Sequence, residues 1–363
     1  MRLLLITNDY PPSHGGIQQY LGDLVDAHEG DVLVLAPAAG PAVGTGRGEA
    51  VVRRHRRRFL WPTPGVRRWL HTEAAAFDPD VIVFGAPYPL AWMGARMGRD
   101  LNIPTAAICH GAEVTIPRVL PIARQLVRRS LRGVDLRLAV SRFTARRVER
   151  LSGMPVSYLG SGVDISVFTP EGNEGRRENV PVVGCVSRFV PRKGQHRLIR
   201  AAAELSARGT PIRLLFVGSG RKLSSLRRRA ERSGVDVRFE VDVPWSSLPG
   251  LYRQMDVFCM PCRSRWAGLE VEGLGIVYLE AAASGLPVLA GNSGGAPETV
   301  VPGRTGFVVQ RISDIVEGID LLIGDPLRAA EMGAEGRQFV TTEYAWRVTA
   351  QRLALAVSGI EQA

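Results

Sequence analysis

The sequence predicts an α/β fold, doubly wound and built twice over. Three observations carry that expectation. Short apolar runs alternate with helix-like segments from end to end. The runs are rich in Val, Ile and Leu without polar–apolar alternation, which suits parallel strands buried on both faces. Each half also opens alike, with a strand, a glycine-bearing loop and a helix: RLLLITNDYPPSHGGIQQYLGDLV first, VVGCVSRFVPRKGQHRLIRAAAEL second.

A length of 363 residues fits two domains of ordinary size. The first is expected over residues 1–168, with strands at Leu3–Thr7, Asp31–Ala36, Val81–Phe84, Thr105–Cys109 and Leu136–Val140. TPEGNEGRREN is polar, charged and glycine-bearing, so residues 169–180 read as a linker. The second domain, residues 181–345, is expected to hold strands at Val182–Val186, Arg213–Val217, Val235–Glu240, Val257–Met260, Val288–Ala290 and Gly306–Val309. YAWRVTAQRLALAV near the end has a helical pattern.

Composition narrows the classes. An apolar fraction of 45 % and a charged fraction of 22 % suit a protein with buried cores. The run Leu3–Ile6 is too short for a signal-peptide core, and no run of about 18 apolar residues occurs, so the expected location is the cytoplasm. Cys259 and Cys262 form a C-M-P-C pair with no second ligand pair at zinc spacing. All four cysteines, with Cys109 and Cys185, therefore read as buried thiols, and no metal is expected.

The net charge is +11, and only two of the 46 basic residues are lysines, Lys193 and Lys222. Such a chain suits nucleic acid, an anionic membrane or phosphorylated ligands. Nucleic acid is set aside, because no RNA-binding or helix-turn-helix signature occurs. Residues 1–168 carry 21 arginines against 14 acids. Arg124, Arg128 and Arg132 recur every four residues beside Leu120, Val127 and Leu131, and RRHRRRF at 53–59 adds a cluster. A basic, partly apolar face of this kind can rest on anionic lipid; an ordinary solvated helix face reads equally well.

Four stretches could carry chemistry. In EGLGIVYLE, residues 272–280, Glu272 precedes a helix that starts near Gly275, and Glu280 lies within it. Glycines let backbone approach a ligand, and the amides of Gly275, Ile276 and Val277 would face an anion. A nucleotide sugar matches that form, with hydroxyls on either side of a diphosphate. A glycine-bearing cap with solvent-facing glutamates reads as well. In SRFVPRKGQ, Arg188 and Lys193, with Arg192 as a third candidate, could converge on a diphosphate and offset its charge as it leaves; the alternative is a solvated basic loop. In PPSHGGIQQYL, Gly15 and Gly16 open a helix whose amides could receive a phosphate or sugar. In CHGAEV, His110 at a strand end could donate to a sugar hydroxyl or stabilise charge, or be structural. All four follow carboxyl ends of strands, two from each half, so the site is expected in a cleft between the domains.

Together these residues resemble the retaining glycosyltransferases of family 4. The E-x7-E of Glu272 and Glu280, the R-x4-K of Arg188 and Lys193, the Gly15-Gly16 loop and His110 occur in that family's order. The resemblance covers nearly the whole chain. TNDYPPSHGGIQQYL, CRSRWAGLEVEGLGIVYLEA and AGNSGGAPETV look like the actinobacterial members that pass mannose from GDP-mannose to phosphatidylinositol monomannoside.

The resemblance implies the GT-B fold, two Rossmann-like domains facing each other across a cleft, with residues 346–363 crossing back to the first. It implies that Glu280 holds the ribose hydroxyls and Glu272 the donor sugar. Arg188 and Lys193 would hold the diphosphate with the amides of Gly275, Ile276 and Val277, and Gly16 would admit the donor phosphates. His110 would sit near the anomeric carbon, with Gly15 and Gly16 on the acceptor side. His110, Arg188, Lys193 and Glu272 would carry catalysis without metal or other cofactor. Val243 is assigned to a backbone contact with the base. The partners implied are a nucleotide sugar, a lipid acceptor and the inner face of the plasma membrane.

Departures from that pattern fall at Ala112, where the subgroup has a second histidine, in VTIPRVLP at 114–121, and at Val241, where the family has glycine. Other readings are a UDP-glucose or UDP-GlcNAc enzyme with a different lipid or soluble acceptor, and a sugar-nucleotide-binding protein without turnover. A glycosidase would leave the phosphate loops without purpose.

Overall fold

In the computed structural model the chain divides into two compact units, Met1–Gly162 with Trp346–Ala363, and Val163–Ala345. The structure describes residues 1–13, 15–39, 50–111, 115, 120–171 and 180–361. Ala112, most of the stretch 114–121 and most of the linker read at 169–180 lie outside the described residues.

The first unit holds a seven-stranded parallel sheet. Its strands are β1 (Leu3–Ile6), β2 (Val32–Ala36), β3 (Val51–Arg54), β4 (Val81–Phe84), β5 (Thr105–Cys109), β6 (Leu136–Ala139) and β7 (Ser157–Tyr158). They run in the order β3-β2-β1-β4-β5-β6-β7. The helices are α1 (Gly16–Asp26), α2 (Pro64–Phe77), α3 (Gly94–Leu101), α4 (Pro121–Arg132), α5 (Arg142–Ser152) and, at the far end of the chain, α12 (Trp346–Glu361). Strands β1, β2, β4 and β5 are buried along their whole length, which is why they read as unbroken apolar runs. α12 packs within this unit: Trp346 meets Tyr20 edge-to-face at 5.2 Å, and Thr349 donates to the Ser161 carbonyl at 2.9 Å.

The second unit holds a six-stranded parallel sheet in the order β10-β9-β8-β11-β12-β13. The strands are β8 (Val182–Val186), β9 (Arg213–Val217), β10 (Val237–Glu240), β11 (Val257–Met260), β12 (Val288–Gly291) and β13 (Gly306–Val309). Helices α6 (Gln195–Ala207), α7 (Leu223–Ser233), α8 (Leu248–Tyr252), α9 (Ile276–Ala283), α10 (Ile312–Gly324) and α11 (Pro326–Glu343) complete it. Phe168 belongs to this unit's core, against Trp245 and Tyr252, and the unit begins at Val163, within the stretch that the sequence reading gives to the first domain.

Both sheets contain the order 3-2-1-4-5-6, with β7 added at the end of the first, and the direction of winding reverses beside the first strand. In such sheets ligands bind beyond the carboxyl ends of strands next to that reversal. The loops after β1 and β4, and after β8 and β11, occupy those places.

The basic tracts are less free than their sequence suggests. Arg53 and Arg54 belong to the exposed edge strand β3, where Arg53 pairs with Glu73 and Arg54 donates to the Pro37 carbonyl at 3.2 Å. On α4, Val127 and Leu131 are buried and Arg124 is exposed, but Arg132 donates to the Ser152 carbonyl at 2.7 Å.

Candidate functional site

The second unit gathers most of the candidates. The loop after β8 carries Arg188, which is exposed, then a turn of 3-10 helix over Pro191–Lys193. Gly194 ends it at φ 84° and caps α6. A side chain there would strike the Pro261 carbonyl, so only glycine lets this loop lie against the one after β11. The amide of Arg263 joins the two loops by donating to the Arg192 carbonyl at 2.9 Å.

Lys193 and Glu272 are each 7 % exposed. Lys193 Nζ lies 2.8 Å from Glu272 Oε2, and the Arg192 guanidinium meets the same oxygen. Burial opposes ionisation of Glu272, yet Lys193 and Arg192 outweigh it and hold the carboxyl below its ordinary range. Among the described residues Oε1 has no hydrogen-bonding partner. Arg192, read from the sequence as a diphosphate ligand, is thus placed on a carboxylate. Glu270 lies 4.0 Å from Arg192 and 3.1 Å from Arg265.

The main chain of Glu272 is held as well. Its N–H donates to Ser293 Oγ at 3.2 Å, and its carbonyl accepts from the Gly295 amide at 3.1 Å. Gly294, at φ 60°, brings its Cα so close that an added Cβ would stand 1.8 Å from that carbonyl. Ser293 and Gly294 were quoted as part of AGNSGGAPETV, but nothing local in that stretch tells that it supports Glu272.

α9 starts at Ile276 with Gly275 as its cap at φ 93°. The Tyr278 amide is the first to bond back, to the Gly275 carbonyl at 3.1 Å. Among the described residues the amides of Gly275, Ile276 and Val277 have no backbone acceptor. They therefore form the positive end of a helix beside Glu272. Glu280, in the next turn, is 8 % exposed and accepts from the Tyr252 hydroxyl at 2.7 Å. Burial and the Glu280 charge push the Tyr252 phenol well up, so it remains a donor. Neither glutamate is a solvent-facing cap residue. Val243 is half-buried beyond β10, against the edge of this unit's core.

In the first unit, Gly15 caps α1 in extended conformation, and a Cβ on Gly16 would meet nothing within 4 Å among the described residues. That open face is what a ligand's approach requires. His110 follows β5. Its Nε2 lies 2.9 Å from the Gly85 carbonyl, which can only accept, so Nε2 carries a proton and is engaged there. The ring meets Tyr20 edge-to-face at 5.1 Å. Asp9, whose carboxyl burial raises and His110 partly lowers, also accepts from Gln18 at 2.8 Å. Asp9 and Gln18 were absent from the sequence reading.

The thiols of Cys185, Cys259 and Cys262 are buried, and burial pushes each one up. Among the described residues no cluster of His, Cys, Asp or Glu could hold a metal ion.

Residues 14–166 match the family model Glycosyltransferase Family 4, and residues 170–339 match Glycosyl transferases group 1. The chain is 41 % identical, over 99 % of both sequences, to a GDP-mannose-dependent alpha-(1-6)-phosphatidylinositol monomannoside mannosyltransferase of Mycolicibacterium smegmatis. It is 38 % identical to a GDP-mannose-dependent monoacylated alpha-(1-6)-phosphatidylinositol monomannoside mannosyltransferase of Corynebacterium glutamicum, over 97 % of this chain and 96 % of that one. In fold it is similar to Anabaena HepE crystallised with UDP (TM-score 0.81, 20 % identity, 99 % and 100 % covered). Sucrose-phosphate synthase from Thermosynechococcus elongatus is similar too (TM-score 0.78, 19 % identity, 99 % of each chain). With two Rossmann-like parallel sheets, a matched family model over each half and full-length relatives at about 40 % identity, the chain belongs to the family 4 glycosyltransferases of GT-B fold.

Proposed function

We propose that the chain transfers mannose from GDP-mannose to a glycolipid acceptor of the phosphatidylinositol monomannoside type, with retained configuration and without a metal. The observation that carries this reading is the arrangement around α9. A buried carboxylate ion-paired to Lys193 precedes three amides that have no backbone acceptor among the described residues, and a second buried carboxylate follows them within the helix. The names of the full-length relatives supply donor and acceptor.

In this reading Glu280 takes the ribose hydroxyls, and Glu272 offers Oε1 to the mannose. Arg188, Lys193 and the amides of Gly275, Ile276 and Val277 take the diphosphate, Val243 lies at the base, and Gly16 leaves room for the phosphates. His110, with Gly15 and Gly16, belongs to the acceptor side, near the reacting carbon. In this reading the reaction runs on one face of the sugar, without a carboxylate nucleophile. As the bond from the anomeric carbon to the GDP oxygen breaks, the acceptor oxygen bonds to the same face and its proton passes to the departing phosphate. The protein supplies positioning and positive charge for the leaving group.

A lipid acceptor calls for work at the inner face of the plasma membrane. The excess of arginine in residues 1–168 and the exposed Arg56, Arg57 and Arg58 support peripheral contact with anionic lipid. Among the described residues no helix is long and apolar enough to cross a membrane. The test is calorimetric titration with GDP, UDP and ADP, each with and without EDTA. Tight, chelator-insensitive binding of GDP alone is expected. Preference for UDP or ADP would overturn the donor, and loss of binding in EDTA would overturn the metal-free reaction.

A further inference from the structure

The loop between β11 and Glu272 carries an exposed aromatic ring on strained backbone, and none of the roles assigned above uses it. Trp266 is 65 % exposed. It sits at φ 49°, Ala267 at φ 50° and Gly268 at φ 83°, three successive residues in the left-handed region. Five described residues other than glycine have positive φ. Asp78, Asn102 and Asp242 are of the types that tolerate it, whereas a bulky tryptophan is not. Glycine would adopt the same conformation freely. Burial does not offset the strain, because the ring lies in water.

Polar bonds hold the loop in this shape. The Arg265 amide donates to the Glu270 carbonyl at 2.9 Å, and the Glu270 amide donates back to the Arg265 carbonyl at 3.2 Å. The Arg265 guanidinium pairs with Glu270 at 3.1 Å and covers one face of the Trp266 ring, 4.9 Å from its centroid. The other face is left to solvent. Glu270 also lies 4.0 Å from Arg192, which meets Glu272. Three ion pairs thus link the ring's support to the carboxylate assigned to the donor sugar. Val243, assigned to the base, follows β10, three strands away from β11 in the sheet. Trp266 therefore belongs to the sugar end of the donor, where the acceptor has to arrive.

The chemistry around the ring selects the ligand. Arg263, Ser264 and Arg265 precede it in the chain, and Arg263 and Ser264 are exposed. An aromatic face among such donors suits a molecule with one face of C–H groups and a rim of hydroxyls. The negative face of the indole attracts the C–H groups, and the donors meet the hydroxyls. An acyl chain would leave the donors desolvated and unpaired. We infer that the open face of Trp266 stacks on a six-membered polyol ring of the acceptor, a pyranose or a cyclitol, and sets acceptor affinity. The inference deepens the function proposed above and rests on it. The left-handed backbone is kept because it turns the ring outward beside the donor sugar.

The test uses the full chain saturated with GDP and the deacylated, water-soluble form of phosphatidylinositol monomannoside, titrated by calorimetry, with thermal unfolding measured alongside. The variants are Trp266→Gly and Trp266→Phe. Trp266→Gly deletes the ring and relieves the left-handed backbone, so its Tm should not fall below that of the wild type. Its Kd for the headgroup should nevertheless rise at least about fivefold, with GDP affinity within about twofold. Trp266→Phe keeps a stacking face and should recover most of the headgroup affinity. A residue that only props the loop would show the opposite pattern, a lower Tm with unchanged headgroup affinity. Unchanged headgroup affinity in Trp266→Gly overturns the inference, whether the ring then proves to be a membrane contact or a prop. An equal loss of GDP affinity overturns it too, by assigning the ring to the donor. A wild type that transfers mannose to the lipid yet does not bind its headgroup sinks the inference alone. A wild type that transfers to no inositol lipid sinks the proposed function and the inference with it.

Discussion

Replacing Arg192 with Gln removes one of the two cations that meet Glu272 Oε2. At a separation of about 4 Å and an effective dielectric near 20, one unit charge contributes about 4 kcal/mol to keeping the carboxylate ionised. Part of that is returned, because Arg192 no longer has to leave water and Lys193 stays 2.8 Å away. A net loss of about 1–3 kcal/mol is expected, or about 5- to 150-fold in kcat/KM for the donor.

The sign of the pH effect follows from the direction of the Glu272 shift. A carboxyl held low contributes stability above its unfolded value and loses it as pH falls through the folded one. Removing Arg192 leaves burial less opposed, so Glu272 takes up its proton at higher pH. The other groups facing it are Lys193, Cys262 and Tyr278, with Glu270 nearby across Arg192. None of them supplies a replacement cation.

The assay is kcat/KM against pH for the wild type, Arg192→Gln and Arg192→Lys. The acid limb should move upward in Arg192→Gln and return most of the way in Arg192→Lys. A uniform loss at every pH, with an unmoved acid limb, would refute the reasoning and leave Arg192 a packing residue.

Glu280→Ala and Lys193→Ala should each abolish measurable GDP binding by calorimetry, whereas His110→Ala should lose turnover with GDP affinity within about threefold of wild type. Tyr252→Phe deletes the donor to Glu280 and should weaken GDP binding by about 1.5–3 kcal/mol, read as a rise in Kd, with kcat little changed. Gly294→Ala places a Cβ against the Glu272 carbonyl in left-handed backbone. It should cost at least about 1–3 kcal/mol, seen as a fall in Tm, and weaken donor binding with it.

The strands buried on both faces were legible because burial leaves an unbroken apolar run. β3 was not, since it is an exposed edge strand whose VVRR reads as part of a basic cluster. β7 has only two residues, Ser157 and Tyr158, and no pattern can mark it. Among the candidates, the placing of Glu272 before a helix start, of Gly275 at its cap and of Glu280 within it was legible because that spacing is local. Their supports were not. Tyr252 reaches Glu280 across 28 residues and Ser293 reaches Glu272 across 21, through packing that no spacing encodes. Arg192 shows the limit most clearly. Its charge marked it, but only the fold reveals that the charge faces a carboxylate.

The most direct test of the central claim is transfer itself: purified protein, GDP-mannose carrying labelled mannose, and phosphatidylinositol monomannoside in mixed micelles with EDTA present, the product analysed by NMR for its new linkage. The account predicts labelled dimannoside with an α-configured bond, formed at a rate that EDTA does not change. No label in the lipid while a UDP-sugar is turned over, or a β-configured product, would contradict it.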